Sequence, residues 1–192
     1  MKKNLKKTFA EKVLLKHLIK QKICLGDSIN ITDPSQYSFI LGQRSEVFTV
    51  LNPKKVIRNL KAFFHFLNHI VETKGNLCFI TNIQEAFLLN KLIKACSQEG
   101  HFCLGQDVKI NNLFTKKKPK AIVALFLDSS RLNVLYSESS ILEVPIISFT
   151  TQANSFFSSN LQILGAFKTQ LSKNLLVSLI IISLKKKKNV TS

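Results

Sequence analysis

The stretch KKKPKAIVALFLDSS, Lys116 to Ser130, decides the architecture. Its apolar run from Ala121 to Leu127 shows no polar alternation. A strand with one wet face alternates, whereas a strand covered on both faces reads as a continuous apolar run. Asp128 sits at the carboxyl end of that run, and two serines open the helical pattern that follows. A strand buried on both faces needs parallel neighbours and crossover helices, so the same pattern must recur on either side.

It does recur. Upstream, NLCFIT (Asn76–Thr81) reads as a strand, followed by a helix through Ala95 and Cys96 that Gly100 stops. Asn82 and Glu85 have the spacing of a capping box for that helix. HFCL (His101–Leu104) is a further short strand. Downstream, RLNVLYSESSILE (Arg131–Glu143) reads as a helix and VPIISF (Val144–Phe149) as another buried strand. A loop rich in Ser, Asn and Gln then leads to a last helix from about Ala166, with Leu171, Leu175, Leu179 and Ile182 on its inner face.

Earlier in the chain, Asn52-Pro53 opens a long helix, since asparagine caps and proline fits the first turn. Val56, Leu60, Phe63, Leu67 and Ile70 form its apolar stripe, Lys54, Arg58, Lys61, His65 and His69 lie opposite, and Gly75 ends it. FILG and EVFTVL read as short strands around a Gly42–Ser45 turn, where glycine permits a positive φ. Residues 26–38 are turn-rich. Leu5 to Lys22 reads as a helix with Leu14, Leu15, Leu18 and Ile19 on one side. The alternation from about residue 46 predicts an α/β fold, a mainly parallel sheet with helices on both faces. One domain is expected over residues 23–184, after a basic N-terminal helix (1–22) and before a basic tail (185–192).

The chain has 192 residues, 28 basic against 11 acidic, for a net charge of +17. Such an excess calls for a polyanion or an anionic surface nearby. Nucleic acid is the first candidate, and an anionic membrane surface the second. LLVSLIIISL (Leu175–Leu184) stops at Lys185, well short of the roughly 20 residues of a membrane span; no stable membrane insertion is expected. The basic N-terminus lacks the apolar block of a signal peptide and reads as a first helix of the mature protein. The bias to Lys, Asn, Phe and Ile is that of AT-rich coding, as in organelle genomes.

Enzymatic constellations are missing. The turns NIQEAF and DSSRLN carry no glycine, so neither a dinucleotide fingerprint nor a phosphate loop is present. His65, His69 and Glu72 share a helix face, but the H-E-x-x-H form is absent and Lys54, Arg58 and Lys61 would repel a cation. Asp128 lacks a carboxylate partner and is expected to cap the next helix. Ser155, Ser158 and Ser159 lie in no nucleophile elbow. Cys24, Cys78, Cys96 and Cys103 include no C-x-x-C pair and read as buried free thiols. No cofactor, no metal and no catalytic residue is expected. The candidates for RNA contact are Lys2, Lys3, Lys6, Lys7, Arg44, Lys54, Lys55, Arg58, Lys61, Lys116, Lys117, Lys118, Lys120, Lys185, Lys186, Lys187 and Lys188. Dispersed cations with no base-reading motif suit recognition of a folded RNA backbone.

Four stretches resemble the S2 family of small-subunit ribosomal proteins, in a divergent mitochondrial form. FILGQRSEVFTVLNPKKVIRNL is similar to the family segment Y-I-F-G-x-R-x-G-I-x-I-I-D-L and its following helix, with Gly42 and Arg44 on the family's glycine and arginine. GNLCFITNIQEAFLLNKLIKAC resembles its G-x-I-L-F-V-G-T-K strand and helix. PKAIVALFLDSS and SSILEVPIISFTTQAN resemble P-D-x-V-x-V-x-D and E-A-x-x-L-x-I-P-V-I-A-x-x-D-T-N, and Ile163–Gly165 stands at the family's I-P-G. The likeness runs from about Leu14 to Leu184. Thr151, Gln152 and Ala153 replace the family's D-T-N. Ala166, Phe167 and Lys168 replace its N-D-D, which makes that region more electropositive.

The resemblance implies a Rossmann-like three-layer sandwich and a structural, non-catalytic role in the mitochondrial matrix. It places the protein at the solvent side of the small subunit where head meets body, bound to rRNA and neighbouring ribosomal proteins, without homo-oligomerisation. Bacterial members carry a long helical hairpin before the P-D-x-V strand. Here only Thr115–Lys118 separate Phe114 from Pro119, too few residues for two helices. A domain lacking that hairpin is expected. The alternatives are a basic α/β nucleic-acid-modifying enzyme and a protein of anionic membrane surfaces.

Overall fold

The computed structural model describes residues 13–32, 34–105, 107–108, 118–150 and 161–185. The first elements lie outside the main sheet. Residues 13–20 are helical (α1), and two 3-10 turns follow at Ile29–Ile31 and Pro34–Phe39. β1 (Ile40–Gln43) and β2 (Thr49–Leu51) pair antiparallel, with a register shift between Ile40 and Gly42. The turn comes later than the sequence suggests: Arg44 and Ser45 N–H both donate to Phe48 O, at 2.9 and 3.3 Å. Gly42 lies within β1 and is not left-handed; Gly100, φ 75°, is the described glycine that is. An irregularity in the ladder takes up the bend instead.

α2 (Pro53–Glu72) forms as expected. Asn52 accepts from Lys54 N–H at 3.1 Å, Pro53 opens the first turn, and Val56, Ile57, Leu60, Phe63, Leu67 and Ile70 are buried. Asn52→Ala should therefore cost about 1 kcal/mol in urea unfolding; an unchanged midpoint would mean that Pro53 and packing alone hold this end. At the other end Lys74, φ 53°, is left-handed. Gly75 serves close approach: a Cβ there would lie 2.9 Å from both Ile70 Cγ2 and Lys120 Cγ.

The main sheet comprises β3 (Leu77–Thr81), β4 (Phe102–Gly105), β5 (Ala121–Leu125), β6 (Ile146–Thr150) and β7 (Leu161–Leu164). Its order is β4-β3-β5-β6-β7 and every pairing is parallel. α3 (Ala86–Gln98), α4 (Ser129–Leu142) and α5 (Gln170–Lys185) are the remaining helices among the described residues. β3, β5 and β6 are buried at every position, which is why their sequences do not alternate. Side chains still leave alternate faces. Leu77, Phe79, Val123, Ile147 and Phe149 join Leu18 of α1 and residues of α2, α3 and α5 in one core. Cys78, Ile80, Ile122, Ala124 and Ile146 pack with Leu132, Leu135 and Leu142 of α4 in a second. The structure is thus an α/β fold with a parallel five-stranded sheet flanked by helices.

The structure also departs from the sequence pattern at β7, at α5, at α1 and at the start of α3. β7 was expected as loop; it is the fifth parallel strand, with Phe149 opposite Ile163. The inner face of α5 is Ser172, Leu176, Val177, Ile180, Ile181 and Leu184, whereas Leu171 and Ile182 are 65% and 56% exposed. Leu175–Leu184 is apolar almost all round, so its pattern allows several stripes, and packing on α2 and α3 selects one. The burial of Ser172 is accommodated locally: Thr169 Oγ1 accepts its N–H at 3.2 Å, and its hydroxyl donates to Thr169 O at 2.7 Å. Ile19 of α1 faces out, at 59% exposure. The Asn82–Glu85 capping box does not form. Asn82 N–H donates to Leu125 O at 3.3 Å, which ties Asn82 to the sheet, and Glu85 stands at the N-cap without a side-chain bond. The expected absence of a helical hairpin falls on residues 109–117, outside the described residues.

Candidate nucleic-acid interface

The basic candidates sort into distinct settings. Lys54, Arg58 and Lys61 are exposed along one side of α2, opposite its buried stripe. This is the arrangement expected, with successive residues about one turn apart. Lys55 turns away from them. Its Nζ donates to Ser38 O and lies 5.2 Å from the centre of the Phe39 ring, so it ties α2 to the preceding turn. Lys118 and Lys120 are exposed just before β5; Lys118 Nζ donates to Leu142 O at 3.3 Å, at the carbonyl end of α4. Lys185 is exposed in the last turn of α5, where the helix dipole favours a cation. Lys2, Lys3, Lys6, Lys7, Lys116, Lys117, Lys186, Lys187 and Lys188 lie outside the described residues.

Arg44 behaves differently. It lines a cavity of about 550 Å³ between the β1–β2 hairpin and the segment after β7, together with Lys22, Asp27, Phe48 and Lys168. A second cavity, about 410 Å³, opens beyond the carboxyl ends of β5 and β6 and includes Lys173 and, again, Lys168. Lys168 forms an ion pair with Asp27. Asp27 is held in turn by its carbonyl, which accepts Thr49 Oγ1 at 2.8 Å and Thr49 N–H at 3.2 Å. Gly165 lets this segment pass close to the core, because a Cβ there would lie 2.7 Å from the Phe167 ring. Phe167 packs edge-on to Phe149.

Lys168 and Lys173 stand outside any lysine run, and Lys22 closes the basic N-terminal segment. A signal existed: ligands in parallel sheets sit beyond the carboxyl ends of strands, and Lys168 follows β7 by a few residues. That rule needs β7 as a strand, and the LQIL segment carries no strand pattern of its own. Arg131 is not part of the basic surface, since its guanidinium turns to Val108 O at 2.5 Å.

Asp128 stands at the N-cap of α4 but makes no side-chain capping bond, contrary to the expected role; it lines the smaller cavity instead. No group of three His, Cys, Asp or Glu among the described residues could hold a metal ion, and His65, His69 and Glu72 are exposed on α2. The four cysteines are free. Burial pushes the Cys24 thiol up to about 11 and the Cys78 thiol to about 12. Cys96 is pushed up by its hydrogen bond to Cys103, with burial adding to the effect, and the same bond draws Cys103 down. No described helix is long and apolar enough to cross a membrane.

His101 is a buried histidine with a structural task. Its Nδ1 accepts Leu77 N–H at 3.3 Å, and the residue is 8% exposed. Burial lowers its pKa, opposed by nearby Glu99. A base with a lowered folded pKa takes up its proton more readily in the unfolded chain. Stability is therefore kept above the ordinary value of about 6.5 and lost as pH falls from there toward the folded value. His101→Asn keeps an acceptor for Leu77 and removes this titration. Between pH 7.5 and 5.5 the parent chain should lose more unfolding free energy than the variant; equal losses would show that His101 does not carry the effect.

No protein-family model matches this sequence, and no curated protein matches it either.

Proposed function

We propose that this protein is a structural, rRNA-binding constituent of the small subunit of the mitochondrial ribosome. The observation that carries the reading is the charge. A chain with net +17 folds into an α/β domain whose cations occupy separate exposed surfaces: one side of α2, the approach to β5, and the end of α5. Dispersed cations of this kind engage phosphates by shape and position. The S2-like order of motifs along the chain supports the same reading and gives it a location, the junction of head and body on the solvent side. Neighbouring ribosomal proteins would cover the remaining surface.

The test is a titration of the full chain against a small-subunit rRNA fragment at several salt concentrations. Each phosphate contacted adds roughly 0.7–0.9 to the log–log slope of affinity against salt, so a steep fall is expected. A flat response would contradict the electrostatic basis of the proposal.

A further inference from the structure

The two cavities at the carboxyl edge of the sheet are neighbours that share a lining residue, Lys168. Lys22 and Arg44 line the cavity at the hairpin, and Lys173 the one beside α4. Against these four cations stand Asp27, which is paired with Lys168, and Asp128. Phe48 adds a different chemistry. It lies at the turn of the hairpin, the residue is 49% exposed, and it borders the same cavity as Arg44. A half-exposed phenylalanine among cations is the combination that holds unpaired bases, with phosphates on the cations and a base face on the ring.

We propose that these two cavities bind a single-stranded segment of RNA, with phosphates along Lys22, Arg44, Lys168 and Lys173 and a base stacked on Phe48. The proposal rests on the RNA-binding reading above and adds to it a place and a strandedness. Size favours a single strand. Cavities of about 550 and 410 Å³ fall in the roughly 300–1,000 Å³ range of small-ligand pockets, so each has room for nucleotide-sized groups. An RNA duplex is read from outside, across its shallow minor groove and phosphates, and would use the flat cationic side of α2. Two neighbouring cavities that share Lys168 favour a strand reaching both over a single free nucleotide. An acidic peptide would satisfy the lysines but offers no flat ring to Phe48.

The experiment compares a fluorescent single-stranded oligouridylate with an RNA hairpin of equal length, closed by a compact structured tetraloop that offers no extended unpaired strand, each bound to the full chain. Phe48→Leu keeps an apolar side chain and removes the stacking face. It should weaken the single strand by roughly 5- to 150-fold, the equivalent of one lost base–aromatic stack. Lys168→Gln with Lys173→Gln should lower the single-strand salt slope by roughly 1.4, two contacts at the single-strand value. Hairpin binding should be unchanged in both variants, and thermal melting identifies any variant that fails to fold. If the parent chain binds both RNAs and both folded variants bind the single strand as the parent does, the cavity assignment is overturned while the RNA-binding reading stands. Equal losses on strand and hairpin overturn the strandedness. Displacement of the oligouridylate by polyglutamate at equal charge assigns the cavities to charge alone and overturns the base-stacking claim. Failure of the parent chain to bind either RNA overturns the functional reading itself.

Discussion

Phe63→Ala is expected to remove about 3–5 kcal/mol of unfolding free energy, a large part of the roughly 5–15 kcal/mol that a domain has in total. Phe63 is fully buried where α2 meets the sheet. Its ring stands edge-on to Phe149 of β6, with centroids 4.9 Å apart, and to Phe64 at 5.0 Å. Such pairs contribute beyond their buried area, and truncation leaves a cavity between helix and sheet that rigid neighbours cannot close. Phe87 provides the contrast. It is 82% exposed on α3, so Phe87→Ala should stay within about 0.5 kcal/mol. Urea unfolding of both variants decides the matter. Similar losses at the two positions would mean that α2 does not pack on β6 as described.

The second large effect concerns binding. Replacing Lys54, Arg58 and Lys61 together by glutamate reverses the sign of one side of α2. These side chains are exposed, and Lys54 lies in the first helical turn, where an acidic residue suits the dipole. The fold should therefore melt close to the parent. If the three contact phosphates of a folded rRNA fragment, the salt slope should fall by roughly 2–3, with weaker binding at every salt concentration. An unchanged slope in a folded variant would move the RNA interface away from α2. It would leave the termini or the carboxyl-edge cavities to carry it.

The buried strands were legible because burial on both faces erases alternation, and β3, β5 and β6 are apolar along nearly their whole length. α2 was legible down to its cap, since Asn52, Pro53 and a single clear stripe agree with one another. β7 was not. LQIL is short, includes a glutamine, and gains its strand character from pairing with β6; Gln162 Nε2 donates to Thr150 Oγ1 at 3.2 Å, a partnership that local pattern cannot reveal. The facing of α5 was ambiguous for the opposite reason, too many apolar residues rather than too few. Composition identified the charge on α2 directly. The two cavities depend on Lys22, Arg44 and the Lys168–Lys173 segment, three separate stretches of chain brought to neighbouring positions only by the sheet order and the hairpin's position. Such a constellation has no local signature, and one missed strand was enough to hide it.

The proposed membership in the small ribosomal subunit is tested by sedimentation. Mitochondrial lysate containing the untagged full chain is layered on a sucrose gradient at moderate salt and followed with an antibody to the chain. The chain should travel with the small subunit, withstand detergent, and be released to the top by RNase. Small subunits sedimenting normally while the chain stays at the top, or the chain floating with membranes after RNase, would contradict the account.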